Sequence, residues 1–145
     1  MDPLVTTVLL AEDNDGHARL IINHLRRAGV VNPIERFRDG AELLTYLGSD
    51  RLDSGAYVLL LDIKMPRVDG VEVLRRIKES ERLRRIPVVM ITTTGDPDEV
   101  ARCHDLGCSS YITKPTDPGR FQEAMEVLGE FLLVSEVPEL DRPVH

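Results

Sequence analysis

The chain has 145 residues, which is the length of a single domain with one hydrophobic core. Its composition, 42% hydrophobic and 30% charged, excludes the disordered and fibrous classes of protein. The net charge of −7 argues against nucleic acid and anionic membrane surfaces as partners, and no apolar run is long enough to span a bilayer.

The N-terminal segment and the spacing of the two cysteines indicate a cytoplasmic protein. No basic residue precedes the apolar part of the N-terminus, MDPLVTTVLL, so this segment is not a secretory signal. Cys103 and Cys108 lie five positions apart, which is neither a CxxC pair nor a four-ligand zinc pattern. Two reduced thiols are therefore expected.

The first predicted strand, at residues 8–11, ends in the acids Glu12 and Asp13. A helix follows, because apolar residues recur at a spacing near 3.6 and Gly29 comes where a left-handed residue often ends a helix. The residues of its apolar face are Ala18, Ile21, Ile22, Leu25 and Ala28. His17 and His24 lie on the same helix and are expected at the surface.

A second strand is predicted at Ile34–Phe37, although Pro33 precedes it and charges interrupt it. Asp39 is the predicted cap of a short helix that Gly48 ends. The loop that follows, at residues 49–56, is rich in Asp, Ser and Gly.

The central stretch, YVLLLDIKMP, begins with a continuous apolar run at residues 58–61, which is typical of a strand buried on both faces. Asp62 follows the run directly, and a turn is expected at Met65-Pro66 because proline restricts its own backbone and the residue before it. The next predicted helix buries Val73, Leu74 and Ile77.

Two more strand–helix pairs complete the chain. The fourth strand, at residues 88–91, ends at Thr92, and Asp96-Pro97 then starts a helix that ends at Gly107. The fifth strand, at residues 109–113, ends at Lys114-Pro115. The signal of a cap and a proline recurs at Asp117-Pro118, before a last helix with an apolar face formed by Phe121, Ala124, Met125 and Leu128.

Strand and helix thus alternate about five times with short connections, which predicts a parallel sheet with helices on both faces. Residues 1–133 are expected to form this domain. Residues 134–145 are expected to be a C-terminal tail, since Pro138 and Pro143 discourage a helix there.

Polar residues at the carboxyl ends of four strands converge in such an architecture. They are Glu12, Asp13, Asp62, Thr92 and Lys114. Three carboxylates that repel one another bind a divalent cation readily, and oxygen ligands suit Mg²⁺. A lysine ammonium and a threonine hydroxyl beside them can bind a tetrahedral anion. A metal, a cationic anion-binding group and a nucleophilic carboxylate together are the parts needed for phosphoryl transfer to an aspartate.

Four motifs, each at a strand end and in this order, carry a resemblance to a known family. They are VLLAEDN, LLLDIKMPRVDG, IPVVMITTT and YITKP. The chain resembles the receiver domain of two-component response regulators from about residue 4 to residue 132. The resemblance implies a doubly wound, flavodoxin-like sheet of five parallel strands in the order 2-1-3-4-5. It also implies a phosphoacceptor signalling domain rather than a turnover enzyme.

The resemblance assigns a role to each site residue. Asp62 would accept the phosphoryl group, and Glu12, Asp13, Asp62 and the backbone carbonyl of Lys64 would hold Mg²⁺. Thr92 and Lys114 would bind the phosphoryl oxygens, and Tyr111 would be the aromatic switch that turns inward as Thr92 moves. The Lys114-Pro115 peptide bond would be cis.

Other interpretations remain open at this point. Taken singly, Glu12 and Asp13 are also typical of turn acids, Lys114 of a solvated lysine and Tyr111 of a half-buried core residue. A phosphatase with an aspartate nucleophile needs a second acid two residues later, where this chain has Lys64. An inactive docking domain would lack one of the key residues, and none is lacking.

The partners expected from the resemblance are proteins. A stand-alone receiver is predicted, phosphorylated by a sensor histidine kinase, and the motifs are most similar to receivers paired with bacterial phytochrome kinases. The last helix carries additional apolar residues, Val127, Phe131 and Leu132, and an apolar extension follows it. A homodimer through the last helix and its extension is therefore expected, with no nucleic acid and no membrane as partner.

Overall fold

The computed structural model describes residues 6–52, 55–92, 96–113, 118–134 and 140, with backbone only at 118–120 and 131–134. Strands and helices alternate along the chain, with one short 3₁₀ turn, Leu83–Arg85, before the fourth strand. The strands are β1 Thr7–Ala11, β2 Ile34–Phe37, β3 Tyr57–Asp62, β4 Val88–Thr92 and β5 Ser110–Thr113. The helices are α1 Asp15–Arg27, α2 Gly40–Leu47, α3 Gly70–Glu79, α4 Pro97–Leu106 and α5 Pro118–Val134.

The five strands form one parallel sheet in the order β2-β1-β3-β4-β5, which confirms the predicted order. β3 lies at the centre, and its six residues are all buried because helices cover both faces of a parallel sheet. The order reverses between β1 and β3, and such a reversal leaves a crevice at the carboxyl ends of the strands. This edge of the sheet is where the candidate site lies.

Each face of the sheet has its own hydrophobic core. On one face, β-strand residues such as Leu9, Leu59 and Met90 pack with α2, α3 and α4. On the other face, residues such as Val8, Leu60 and Ile91 pack with α1 and α5. Successive residues of a strand point to opposite faces, so one apolar run supplies both cores.

The helix caps follow the predicted chemistry. Asp39 and Asp96 cap α2 and α4 as predicted, and each accepts a hydrogen bond from a backbone N–H in the first turn of its helix. Asp69 does the same for α3, and Asn14 caps α1. Gly107 ends α4 with a φ of 97°, a left-handed conformation that glycine adopts at low cost.

The surface position expected for His24 is wrong. His24 is 6% exposed, its ring meets the Phe121 ring edge-on, and its Nδ1 is hydrogen-bonded to Gln122 of α5. The helical period explains this position, because His24 lies three residues after Ile21 and four before Ala28, on the face that packs against α5.

One residue of the predicted C-terminal tail contributes to the core. Leu140 is 3% exposed within the core that α2, α3 and α4 cover, and its N–H donates to the carbonyl of Gly55, just before β3. α5 packs on the opposite face of the sheet, so Leu140 and α5 lie against different cores. Within the described residues, no helix is long and apolar enough to cross a membrane.

Candidate phosphoacceptor site

The acids of the site come from the ends of two neighbouring strands. Ala11 of β1 pairs with Leu61 of β3, so Glu12 and Asp62 leave the sheet side by side. Asp13 follows Glu12, and one ligand oxygen from each of these three acids lies within 4.8 Å of the others. The structure therefore brings together the three carboxylates that the sequence predicted.

The three acids differ in their exposure. Glu12 is 1% exposed and Asp62 is 7% exposed, whereas Asp13 lies at the surface. Two buried carboxylates beside a third repel one another, and a divalent cation with oxygen ligands compensates this repulsion. The donor set, with Asp13 open to solvent, fits a hard cation that keeps several water ligands.

The side chain of Glu12 lies against the loop between β1 and α1. Its Oε2 accepts a hydrogen bond from the Asn14 N–H (3.3 Å), and its Oε1 lies 3.8 Å from Nδ1 of His17. His17 is exposed, as predicted, but its position beside Glu12 was not predicted. The first turn of α1 brings His17 back over the end of β1, which a spacing of five residues in the sequence does not reveal.

Thr92 lies next to Asp62 across the β3–β4 ladder. Asp62 pairs with Ile91, so Thr92 is the residue that follows its partner at the end of β4, and it is fully buried. The Tyr111 side chain, on the adjacent β5, is half-buried, and its hydroxyl donates to Oε1 of Glu99 at 3.5 Å. Burial, and then the nearby Glu99 carboxylate, raise the pKa of Tyr111 to about 12, so it is a neutral phenol at pH 7.

The loop between β3 and α3 is held tightly against Asp62. Arg67 has a φ of 68°, and the Val68 N–H donates to the carbonyl of Pro66 (2.9 Å) in a three-residue turn around it. The Gly70 N–H then donates to the carbonyl of Ile63 (2.7 Å), which fixes the start of α3 beside the end of β3.

Two of the predicted features stay predictions. Lys114 and the Lys114-Pro115 peptide bond lie outside the described residues, immediately after Thr113, the last residue of β5. Lys64 is described and exposed, two residues after Asp62. Its predicted role as a backbone ligand of the metal stays a prediction.

The sequence and the fold both match known proteins over nearly the whole chain. Residues 8–126 match the response regulator receiver domain family. A probable methanogenesis regulatory protein FilR2 from Methanothrix harundinacea is 41% identical over 137 residues, covering 91% of this chain and 85% of that protein. This chain therefore belongs to the receiver domain family of two-component response regulators.

Solved structures agree with this assignment. A receiver domain from Rhodospirillum rubrum superposes with a TM-score of 0.86 and 44% identity, covering 93% of this chain and 99% of that one. The phosphorylated cyanobacterial phytochrome response regulator RcpA has a TM-score of 0.81 and 32% identity, covering 97% and 99%. The Mn²⁺-bound form of response regulator Rcp1 has a TM-score of 0.80 and 28% identity, covering 98% and 100%.

Membership in this family defines the kind of protein. It is a two-component signalling domain, homologous to response regulators that kinases phosphorylate on an aspartate. Receiver domains bind a divalent metal in an acidic site, and the three clustered carboxylates of this chain fit that role.

Proposed function

We propose that this chain is a stand-alone receiver that accepts a phosphoryl group on Asp62 from a sensor histidine kinase. The observation that carries the proposal is the position of Asp62, at the end of the central strand, with an oxygen within 4.8 Å of oxygens of Glu12 and Asp13. In the transfer, an Asp62 carboxylate oxygen attacks phosphorus and a new O–P bond forms. The P–N bond of the phosphohistidine donor breaks, and the imidazole leaves with its electron pair.

The other residues of the site have distinct tasks in this proposal. Glu12, Asp13, Asp62 and the backbone carbonyl of Lys64 would hold Mg²⁺, which would neutralise the acids and the charge of the phosphoryl group. The Thr92 hydroxyl donates to a phosphoryl oxygen, and the Lys114 ammonium pairs with another. When Thr92 moves toward the phosphoryl group, the Tyr111 phenol, whose hydroxyl donates to Glu99 in this structure, turns inward.

Two partners are part of the proposal. A phytochrome-type kinase as the phosphodonor is supported by the similarity to RcpA, a phytochrome response regulator. A homodimer through the last helix and its extension is also proposed: Val127 of α5 is 66% exposed, and the side chains at 131–134 lie outside the described residues. Sedimentation at high micromolar concentration, with and without a phosphoryl analogue, tests the dimer, and a monomer under both conditions would reject it.

Intact-mass spectrometry tests the phosphoacceptor directly. The protein is incubated with Mg²⁺ and acetyl phosphate, and we expect it to gain one phosphoryl group that hydroxylamine removes, as it does from an acyl phosphate. The Asp62→Asn variant is the matched control, since it keeps the shape of the side chain and removes the nucleophile. Equal phosphorylation of the variant, or none of the wild type, would refute the proposal.

A further inference from the structure

Arg36, near the end of β2, is hydrogen-bonded to both ends of the segment 12–15, which connects β1 to α1. Its Nε and Nη2 donate to the carbonyl oxygen of Glu12 at 3.0 and 2.7 Å. Its Nη1 donates to Oδ1 of Asp15 at 2.6 Å. One guanidinium therefore holds both the first and the last residue of the segment 12–15, which contains Asp13.

The hydrogen bonds of Arg36 extend the contact between β1 and β2 past the last residue of β1. The Glu12 N–H still donates to the carbonyl of Phe37 (3.0 Å), the last residue of β2. On the carbonyl side of Glu12, the planar fork of the guanidinium provides two donors. The Arg36 side chain is only 19% exposed, so these bonds are partly shielded from water.

Arg36 also distinguishes among the acids of the loop. Glu12, Asp13 and Asp15 all lie within four residues, but only Glu12 and Asp13 have oxygens grouped with Asp62. Asp15 is instead paired with Arg36, whose Nη1 lies 2.6 Å from its Oδ1. The guanidinium thus pairs with Asp15, whereas the Glu12 and Asp13 carboxylates lie beside Asp62, where a cation could bind them.

We propose that Arg36 is a positioning residue for cation binding, which fixes the segment 12–15 so that Glu12 and Asp13 lie beside Asp62. This inference rests on the proposed function and explains how its acidic site is assembled. It does not give Arg36 a contact with the phosphoryl group or the cation. Residues that orient the ligands of a metal in this way typically contribute about ten- to a hundredfold to its affinity.

The direction in which cation affinity changes when Arg36 is replaced distinguishes a positioning role from a purely electrostatic one. Arg36 is itself a cation, so removing its charge reduces repulsion and on that basis alone tightens the binding of Mg²⁺. Loss of positioning has the opposite effect, because Glu12 and Asp13 then have to be ordered when the cation binds. The two explanations therefore predict changes of opposite direction.

Titration calorimetry with Mg²⁺ and Mn²⁺ measures this difference on the unphosphorylated protein. We expect Arg36→Gln to weaken cation binding by about ten- to a hundredfold. The matched control is Arg38→Gln, which removes the same charge from an exposed residue two positions away. The control should bind the cation as tightly as the wild type or slightly more tightly.

A second variant tests the positioning role without a change of charge, and hydrogen exchange shows whether the fold is kept. Arg36→Lys retains the positive charge and loses the planar fork, so we expect weaker cation binding than in the wild type. Amide hydrogen exchange of the cation-free protein should be faster at Asp13 and Asn14 in this variant and unchanged in β3.

The possible outcomes are distinct. Wild-type affinity in both Arg36→Lys and Arg36→Gln, or tighter binding in Arg36→Gln, would overturn the positioning role and leave the proposed function intact. Absence of cation binding by the wild type would instead contradict the cation site of the proposed function. Weaker binding in both variants with faster exchange at Asp13 supports the inference.

Discussion

Gly70 is the residue where packing against the end of β3 leaves no room for a side chain. A Cβ at this position would lie 2.3 Å from the carbonyl oxygen of Asp62 and 2.8 Å from Cα of Ile63. Both neighbours are backbone atoms, which cannot move aside as the tip of a flexible side chain can. The first residue of α3 therefore has to be glycine for the helix to start this close to Asp62.

We expect Gly70→Ala to lower the free energy of unfolding by about 1–3 kcal/mol, because the added methyl group forces the end of β3 and the start of α3 apart. Phosphorylation by acetyl phosphate should slow as well, since Asp62 moves with its carbonyl. Urea unfolding and the rate of phosphorylation measure the two effects. Gly48→Ala is the control, because its Cβ meets no atom closer than 3.5 Å, and equal stability of the two variants would contradict this interpretation.

The sequence predicted which residues meet at the sheet edge better than it predicted their contacts. Glu12, Asp62 and Thr92 each follow an apolar run, Asp13 follows Glu12, and the carboxyl ends of parallel strands share one edge. Arg36 was not predicted, since an arginine on a strand interrupted by charges is typical of a solvated position. Its role depends on the ends of two strands meeting, which no local pattern encodes.

At the scale of the element, α4 packs both cysteines close to β4 and β5. Cys103 is fully buried, and Cys108 follows the helix end and is 9% exposed. Burial, followed by the neighbouring Cys108 and Glu99, raises the pKa of the Cys103 thiol from 9.0 to about 11. The folded protein therefore holds this proton more tightly than the unfolded chain does.

Proton linkage then predicts a loss of stability at alkaline pH. The contribution of Cys103 is complete below pH 9.0, the pKa of the free thiol, and is lost as the pH rises toward about 11. In this range the unfolded chain ionises first, so we expect the wild type to lose up to about 2 kcal/mol more than Cys103→Ala does. Urea unfolding of both proteins across this range measures the difference, which includes the effect of Cys103 on the nearby Tyr111. Parallel pH profiles would contradict the prediction.

Helix and strand positions were largely predictable because each element has its own periodic signal and its own cap. Asp39 and Asp96 predicted the starts of α2 and α4, and Gly107 predicted the end of α4. His24 was placed wrongly because the residue type was given more weight than its place in the helical period. Its hydrogen bond with Gln122 spans 98 residues and is set by the packing of α1 against α5.

At the scale of the whole molecule, the alternation of strand and helix restricted the fold to a parallel sheet with two covered faces, and the family resemblance supplied the strand order. The position of Leu140 could not be predicted in the same way. A single leucine between prolines has no period, so its burial depends on a hydrophobic site between the sheet and its helices that exists only after folding.

The packing of Leu140 predicts that this one side chain stabilises the domain. We expect Leu140→Ala to lower the free energy of unfolding by about 2–5 kcal/mol, because it removes a buried side chain and leaves a cavity beside the core. Val31→Ala is the control: Val31 is 86% exposed, and its replacement should change stability by less than about 0.5 kcal/mol. Urea unfolding gives both values, and the slope with denaturant should be unchanged if each variant keeps the fold. A Leu140→Ala variant as stable as Val31→Ala would mean that the Leu140 side chain does not pack on the core in solution.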